Sequence, residues 1–208
     1  MSELFSIQLQ NRQQQGGDGV WLDLPTTTEQ VQAALRQIGI SSDNPQGLFI
    51  SGYFAEEEKR FAIPYNMVLA SNVDELNFLA SRLETLSTGE RAELNAALQA
   101  PQSELFSIGR ITDFPENVDY YVHLPDVHGP AQLGDYYLNR SGMVDMPEEW
   151  KGGIDTAQFG RYVAQQEQGA FTQYGYLVKS GDEWQKVHEG QPVPEEYRVL
   201  SFPAPEVL

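Results

Sequence analysis

Ser71–Leu98, SNVDELNFLASRLETLSTGERAELNAAL, is the longest run of the chain with unbroken helical spacing. Val73, Leu76, Leu79, Ala80, Leu83 and Leu86 recur at steps of three and four residues, which puts them on one helix face, and Asn72 with Glu75 makes a capping box. Ser87 and Glu90 repeat the start signal. Ala92, Leu94, Ala97 and Leu98 then give a second stripe that ends before Pro101. The polar link Ser87-Thr88-Gly89 predicts a helical hairpin, with Asp74, Glu75, Glu84, Glu90 and Glu93 on its outer faces.

Upstream of this hairpin the chain is strand-rich. Ser6 to Gln10 alternates with period two, a polar tip follows, and Val20 to Leu24 predicts the returning strand of an antiparallel hairpin. Pro25 stops it. Thr26 to Thr28 cap a helix that buries Val31, Ala34, Leu35 and Ile38 and closes at Gly39. Leu48 to Phe54 reads as a third strand, followed at once by Glu56, Glu57 and Glu58, and Phe61 to Ala70 as a turn into the hairpin.

Downstream, Leu105 to Pro115 and Val118 to Leu124 read as aromatic strand pieces with Asp113, Glu116 and Asp119 among them. Ala131 to Arg140 reads as a short helix, Glu148 and Glu149 stand in an acidic turn opened by Pro147, and a helix runs from Asp155 to Gly169. Phe171 to Lys179 and Arg198 to Phe202 read as strands. The class is α+β: elongated, with three small consecutive domains. These are an antiparallel sheet with one helix over 1–62, a central helical domain over 63–104, and a C-terminal α+β domain with an extension over 105–208.

The bulk numbers restrict function. Thirty Asp and Glu against 13 Lys and Arg give a net charge of −17, and each of the segments 1–65, 66–104, 105–158 and 159–208 is net negative. A disordered acidic tail is excluded by 40% hydrophobic residues and by 10 Phe, 10 Tyr and 3 Trp. Such a surface repels nucleic acid and attracts basic protein grooves. The absence of cysteine excludes disulfides, zinc–thiolate sites and cysteine nucleophiles. The opening MSELFSIQLQNRQQQ lacks a leader pattern and no run reaches membrane-spanning length, so a soluble cytoplasmic protein is expected.

Catalytic motifs are weak. His123, Asp126 and His128 are three potential ligands within six residues, but their spacing matches no established metal pattern. Gly16-Gly17-Asp18-Gly19 precedes a strand, the reverse of a phosphate-loop context, and no G-x-S-x-G elbow occurs. No enzyme, no cofactor and no metal is expected. Aromatics beside carboxylates recur, as at Tyr53-Phe54 before Glu56, Tyr120-Tyr121 after Asp119 and Tyr136-Tyr137 after Asp135, a composition frequent in protein interfaces.

The run from Leu133 to Val178 resembles antirestriction proteins of the ArdA type, carried by plasmids and conjugative transposons. The matching elements are Leu133-Gly134 with Tyr136 and Tyr137, Gly142, Pro147, Ile154-Asp155, Phe159-Gly160-Arg161, Gly169, and Phe171-Thr172 with Gly175-Tyr176. GVWLDLP, FISGY and NVDELNFLASRLETL extend the likeness to the N-terminal half. Arg161 is followed by Tyr162 where the family commonly has an acidic residue, and residues from about 180 onward do not align.

The resemblance implies a non-enzymatic mimic of duplex DNA: an elongated homodimer whose carboxylates imitate phosphates and which occupies the DNA groove of type I restriction–modification enzymes. A homodimer would carry twice the −17 of one chain, the charge of about 58 Å of duplex axis, or roughly 17 base pairs. The positions expected to share this role are Glu56, Glu57, Glu58, Asp74, Glu75, Glu84, Asp113, Glu116, Asp119, Asp126, Asp135, Glu148 and Glu149. The alternative is an acidic interaction module that binds another basic or DNA-binding protein.

Overall fold

The computed structural model describes residues 4–14, 17–57, 60–101 and 103–205. Along the chain these form β1 (Phe5–Asn11), β2 (Val20–Leu24), α1 (Thr28–Gln37), β3 (Leu48–Phe54), α2 (Tyr65–Leu69), α3 (Val73–Glu84), α4 (Thr88–Gln99), α5 (Ile108–Thr112), β4 (Tyr121–Leu124), α6 (Pro130–Asp135), α7 (Glu148–Lys151), α8 (Thr156–Glu167), β5 (Ala170–Thr172) and β6 (Gly175–Lys179). The class is α+β, with eight α-helices and two three-stranded antiparallel sheets among the described residues. None of these helices is long and apolar enough to cross a membrane.

The chain divides into two compact units. The first comprises Met1–Leu86, Leu105–Pro115 and Lys186–Leu208, and the second Ser87–Glu104 and Glu116–Gln185. The division falls between α3 and α4.

In the first unit the strand order is β2-β1-β3, with Phe5 opposite Leu24 and Ser6 opposite Phe54. The alternation of β1 buries Phe5, Ile7 and Leu9, and Leu24, Val31, Leu35, Leu76, Leu79 and Leu83 are buried in the same unit. Each such side chain contributes about 1.5–3 kcal/mol on burial. Asn72 and Ser87 form the capping boxes that their spacing predicts, with Glu75 and Glu90 as reciprocal partners, and the expected threonine cap of α1 is a third box, between Thr27 and Gln30.

In the second unit the order is β4-β6-β5, and α4 lies against β4 and β6. Its core gathers Val127, Leu133 and Tyr176, packed by Leu124, Tyr137, Val163 and Phe171.

Several expectations fail locally. Phe61 to Ala70, read as a turn, contains α2, and Phe171 to Lys179, read as a strand, belongs to the antiparallel pair β5–β6. Leu105 to Pro115, read as strand, contains α5, because the Ser107 hydroxyl accepts from the Arg110 N–H and starts a helical turn that buries Ile108 and Ile111. Val118 to Tyr120 is a 3-10 turn that leads into β4. Arg198 to Phe202 joins no sheet, because the Asp74 carboxylate takes the N–H groups of Val199 and Leu200, each at 2.7 Å.

Candidate functional site

The carboxylates singled out from sequence separate into three groups. Glu56, Glu57, Glu116, Asp119, Asp126, Glu148 and Glu149 are exposed. Asp74, Glu75, Glu84 and Asp135 are half-buried, and Asp113 is fully buried. Glu58 lies outside the described residues.

Asp113 is a correction to the expected acidic surface. Its Oδ1 accepts from the His188 N–H at 2.6 Å, and its Oδ2 from the N–H groups of Val187 and Glu189 at 3.3 and 3.2 Å. A carboxylate that holds three backbone donors inside the protein presents no charge to a partner. Asp74 is held by Val199 and Leu200 as described above. Glu75 accepts from the Asn72 N–H at 3.3 Å, and the Asp135 carboxylate accepts from the Asn139 amide and pairs with Arg140 at 3.3 Å.

Glu116 and Asp119 come together in the second unit with Asp182 and Glu183. The four carboxylates rim a cleft of about 420 Å³ whose wall includes Tyr120 and Trp184. A reciprocal pair holds the two sides together: Gln185 N–H donates to the Asn117 side chain at 2.7 Å, and Asn117 Nδ2 donates to the Gln185 carbonyl at 3.0 Å. Tyr120 meets Trp184 edge-on with ring centroids 5.1 Å apart.

A second acidic stretch runs through 145–155. Asp145, Glu148, Glu149 and Asp155 are all exposed there, although Glu148 pairs with Lys151 at 2.6 Å and Asp155 caps α8 by accepting from the Gln158 N–H. Its position depends on how α8 is seated. Gly134 and Gly160 bring α6 and α8 into backbone contact, since a Cβ on Gly160 would stand 1.8 Å from the Pro130 carbonyl oxygen. At the end of α8 the Glu167 carboxylate accepts from the Tyr137 hydroxyl and, at 2.9 Å, from the Tyr176 hydroxyl. Burial and this acceptor together push both phenols above their usual range. The sequence marked Gly134, Gly160 and Tyr176 through a family likeness and Tyr137 also as an aromatic beside Asp135; the physical role of these four is to seat this segment.

His123, Asp126 and His128, the weak ligand candidates of the sequence, are placed along β4 and the turn after it. The His123 ring Nε2 stands 2.7 Å from the Tyr174 carbonyl, while Asp126 and His128 are exposed in the turn that follows β4.

These features define an acidic α+β protein whose surface carboxylates are anchored on turns and helix ends of two folded units. The sequence model of the family described as "Antirestriction protein (ArdA)" matches residues 17–178, most of the chain, and the protein belongs to that family. Membership carries antirestriction as its function and restriction enzymes as the proteins with which it interacts. No curated protein matches the chain significantly.

Proposed function

We propose that the protein blocks restriction by posing as duplex DNA: it occupies the DNA groove of type I restriction–modification enzymes as a homodimer in the cytoplasm, with no catalysis and no nucleic acid of its own. The observation that carries this reading is the placement of exposed carboxylates on anchored backbone in both units. The first unit holds 16 acidic against 8 basic residues and the second 14 against 5. Charges fixed on structure pay less ordering entropy on binding than charges on loose loops. A basic groove that sheds its own anions to accept them gains the counterion-release term on which DNA itself relies.

Each exposed carboxylate contributes only a few tenths to about 1 kcal/mol, so single changes have little effect. The fourfold reversal of Glu56, Glu57, Glu148 and Glu149 to Lys is expected to abolish inhibition of ATP-dependent cleavage by a purified type I enzyme, and to end competition with duplex DNA for that enzyme. Circular dichroism checks that the variant is folded. A folded variant that inhibits as well as the parent would refute charge mimicry.

A further inference from the structure

The outward face of the sheet in the first unit carries a feature that charge alone does not account for. Trp21 of β2 and Phe54 of β3 are 49% and 56% exposed, yet their rings meet edge-on with centroids 6.4 Å apart. The two strands are not neighbours, because β1 lies between them. Trp21 pairs with Gln8 of β1, and Gln8 pairs with Gly52 of β3. The indole therefore lies across the middle strand, and it reaches so far that a Cβ on Gly52 would stand 3.0 Å from its Cη2 atom. Tyr65, 51% exposed, adds a third ring at the same strand by donating to the Ser51 carbonyl at 3.1 Å.

An isolated exposed aromatic is ordinary in a soluble protein. Here the backbone has been cleared so that one ring can span three strands and brace another, which holds both in place before any partner arrives. The surrounding charges select the partner. Asp23 stands on β2 opposite Ser6, which is itself opposite Phe54. Glu56 and Glu57 follow Phe54 after the single residue Ala55 and are exposed. The bases nearest in sequence are Lys59, which lies outside the described residues, Arg60, beyond the glutamates, and Arg12, at the far end of the face over the Phe49 ring. Flat aromatic surface beside carboxylates is the combination that a guanidinium recognises, by stacking on the ring and pairing with the acid.

We infer that the Trp21–Phe54 platform is a docking surface for arginine side chains in the basic groove of the restriction enzyme, giving the protein an anchor that DNA phosphates do not have. The inference rests on the DNA-mimic reading and names a salt-independent part of the same contact. Ring burial releases no counterions, whereas each carboxylate that replaces a phosphate does.

The test is the affinity of the full chain for a type I enzyme, measured by competition with labelled duplex DNA over a range of salt. The double variant Trp21→Ala/Phe54→Ala is expected to bind about tenfold or more weakly at every salt concentration, with the slope of log affinity against log salt unchanged. Both rings point outward, so the fold survives. The variant Trp21→Phe/Phe54→Tyr keeps flat rings and is expected to stay within about threefold of the parent. A folded double-alanine variant that binds within twofold of the parent overturns the inference, as does one whose change is confined to a lower mass in solution, since the platform would then seat a second copy of this chain. If the parent itself does not compete with DNA, the mimic reading falls first and the inference falls with it.

Discussion

Burial and hydrogen bonding remove several carboxylates from the charge that a partner meets. Asp113 is enclosed by the backbone N–H groups of residues 187–189, and nothing local in the sequence marks this, because its donors lie more than seventy positions away. Glu93 is a different case. Helical spacing puts it on the outer face of its helix, but it is half-buried, and its Oε1 is enclosed without a hydrogen-bond partner among the described residues. Burial first, then the negative charges of Glu90 and Asp119, push its carboxyl from 4.5 up to about 8. The folded state thus binds this proton more tightly than the unfolded chain does. Its contribution is fully present below the unfolded value of 4.5 and is lost as pH rises through about 8. Glu93→Gln is expected to match the parent at pH 4.5 and to exceed it at pH 8.5. Solvent screening at a half-exposed site reduces the gain to on the order of 1 kcal/mol, about 2–4 °C in Tm for a chain of this size. Calorimetry of both proteins at the two pH values decides it; an equal difference at both would remove Glu93 as the titrating group.

At the scale of elements, helices with both a cap and a sustained apolar stripe were legible, as α1, α3, α4 and α8 show through Thr27, Asn72, Ser87 and Asp155. The five residues of α5 span too little chain to display a helical period, so Ile108 and Ile111 passed for strand residues. Residues 198–202 look like a strand because they are extended and apolar, but their donors are claimed by a side chain rather than a ladder. The contact of α6 with α8 could not be foreseen, since it depends on two glycines 26 positions apart meeting in space. That contact makes a strong prediction. Any side chain at Gly160 meets the Pro130 carbonyl, and at Gly134 the Thr156 carbonyl at 1.9 Å; both obstacles are backbone and no rotamer change relieves them. Gly160→Ala is therefore expected to destabilise the second unit by about 3 kcal/mol or more. Gly152→Ala, where a Cβ meets nothing within 4 Å, is the matched control and is expected to be nearly neutral. Urea unfolding of the two variants reads the difference, and comparable midpoints would mean that the helices shift apart without loss.

For the molecule as a whole, the longest-range links are made by the residues that the family match leaves out. The match ends at residue 178, yet residues 186–203 return to the first unit and tie it at points far apart in sequence. Asp113 holds residues 187–189, and Phe78 packs against the His188 and Tyr197 rings at 4.9 and 4.7 Å. Asn77 donates to the Tyr197 carbonyl at 3.0 Å while it accepts from the Thr26 N–H at 2.8 Å. Asp74 holds Val199 and Leu200, and the Ser42 N–H donates to the Pro203 carbonyl at 2.9 Å. Removal of residues 186–208 would leave Asp74, Asn77 and Asp113 with unmet acceptors or donors in or near a core, and hydrogen bonds to a charged group contribute about 1.5–3 kcal/mol each. The expected loss is on the order of 5 kcal/mol, confined to the first unit. Hydrogen exchange read by mass spectrometry can localise it: peptides from β1, β2, β3 and α1 lose protection in the truncated chain, while those from α4, α8 and β6 keep theirs. Antirestriction should then weaken through the fraction of first unit unfolded and recover on cooling. Uniform protection in the truncated protein would show that these carboxylates find water as readily as the returning segment, and that residues 186–208 serve something other than the fold.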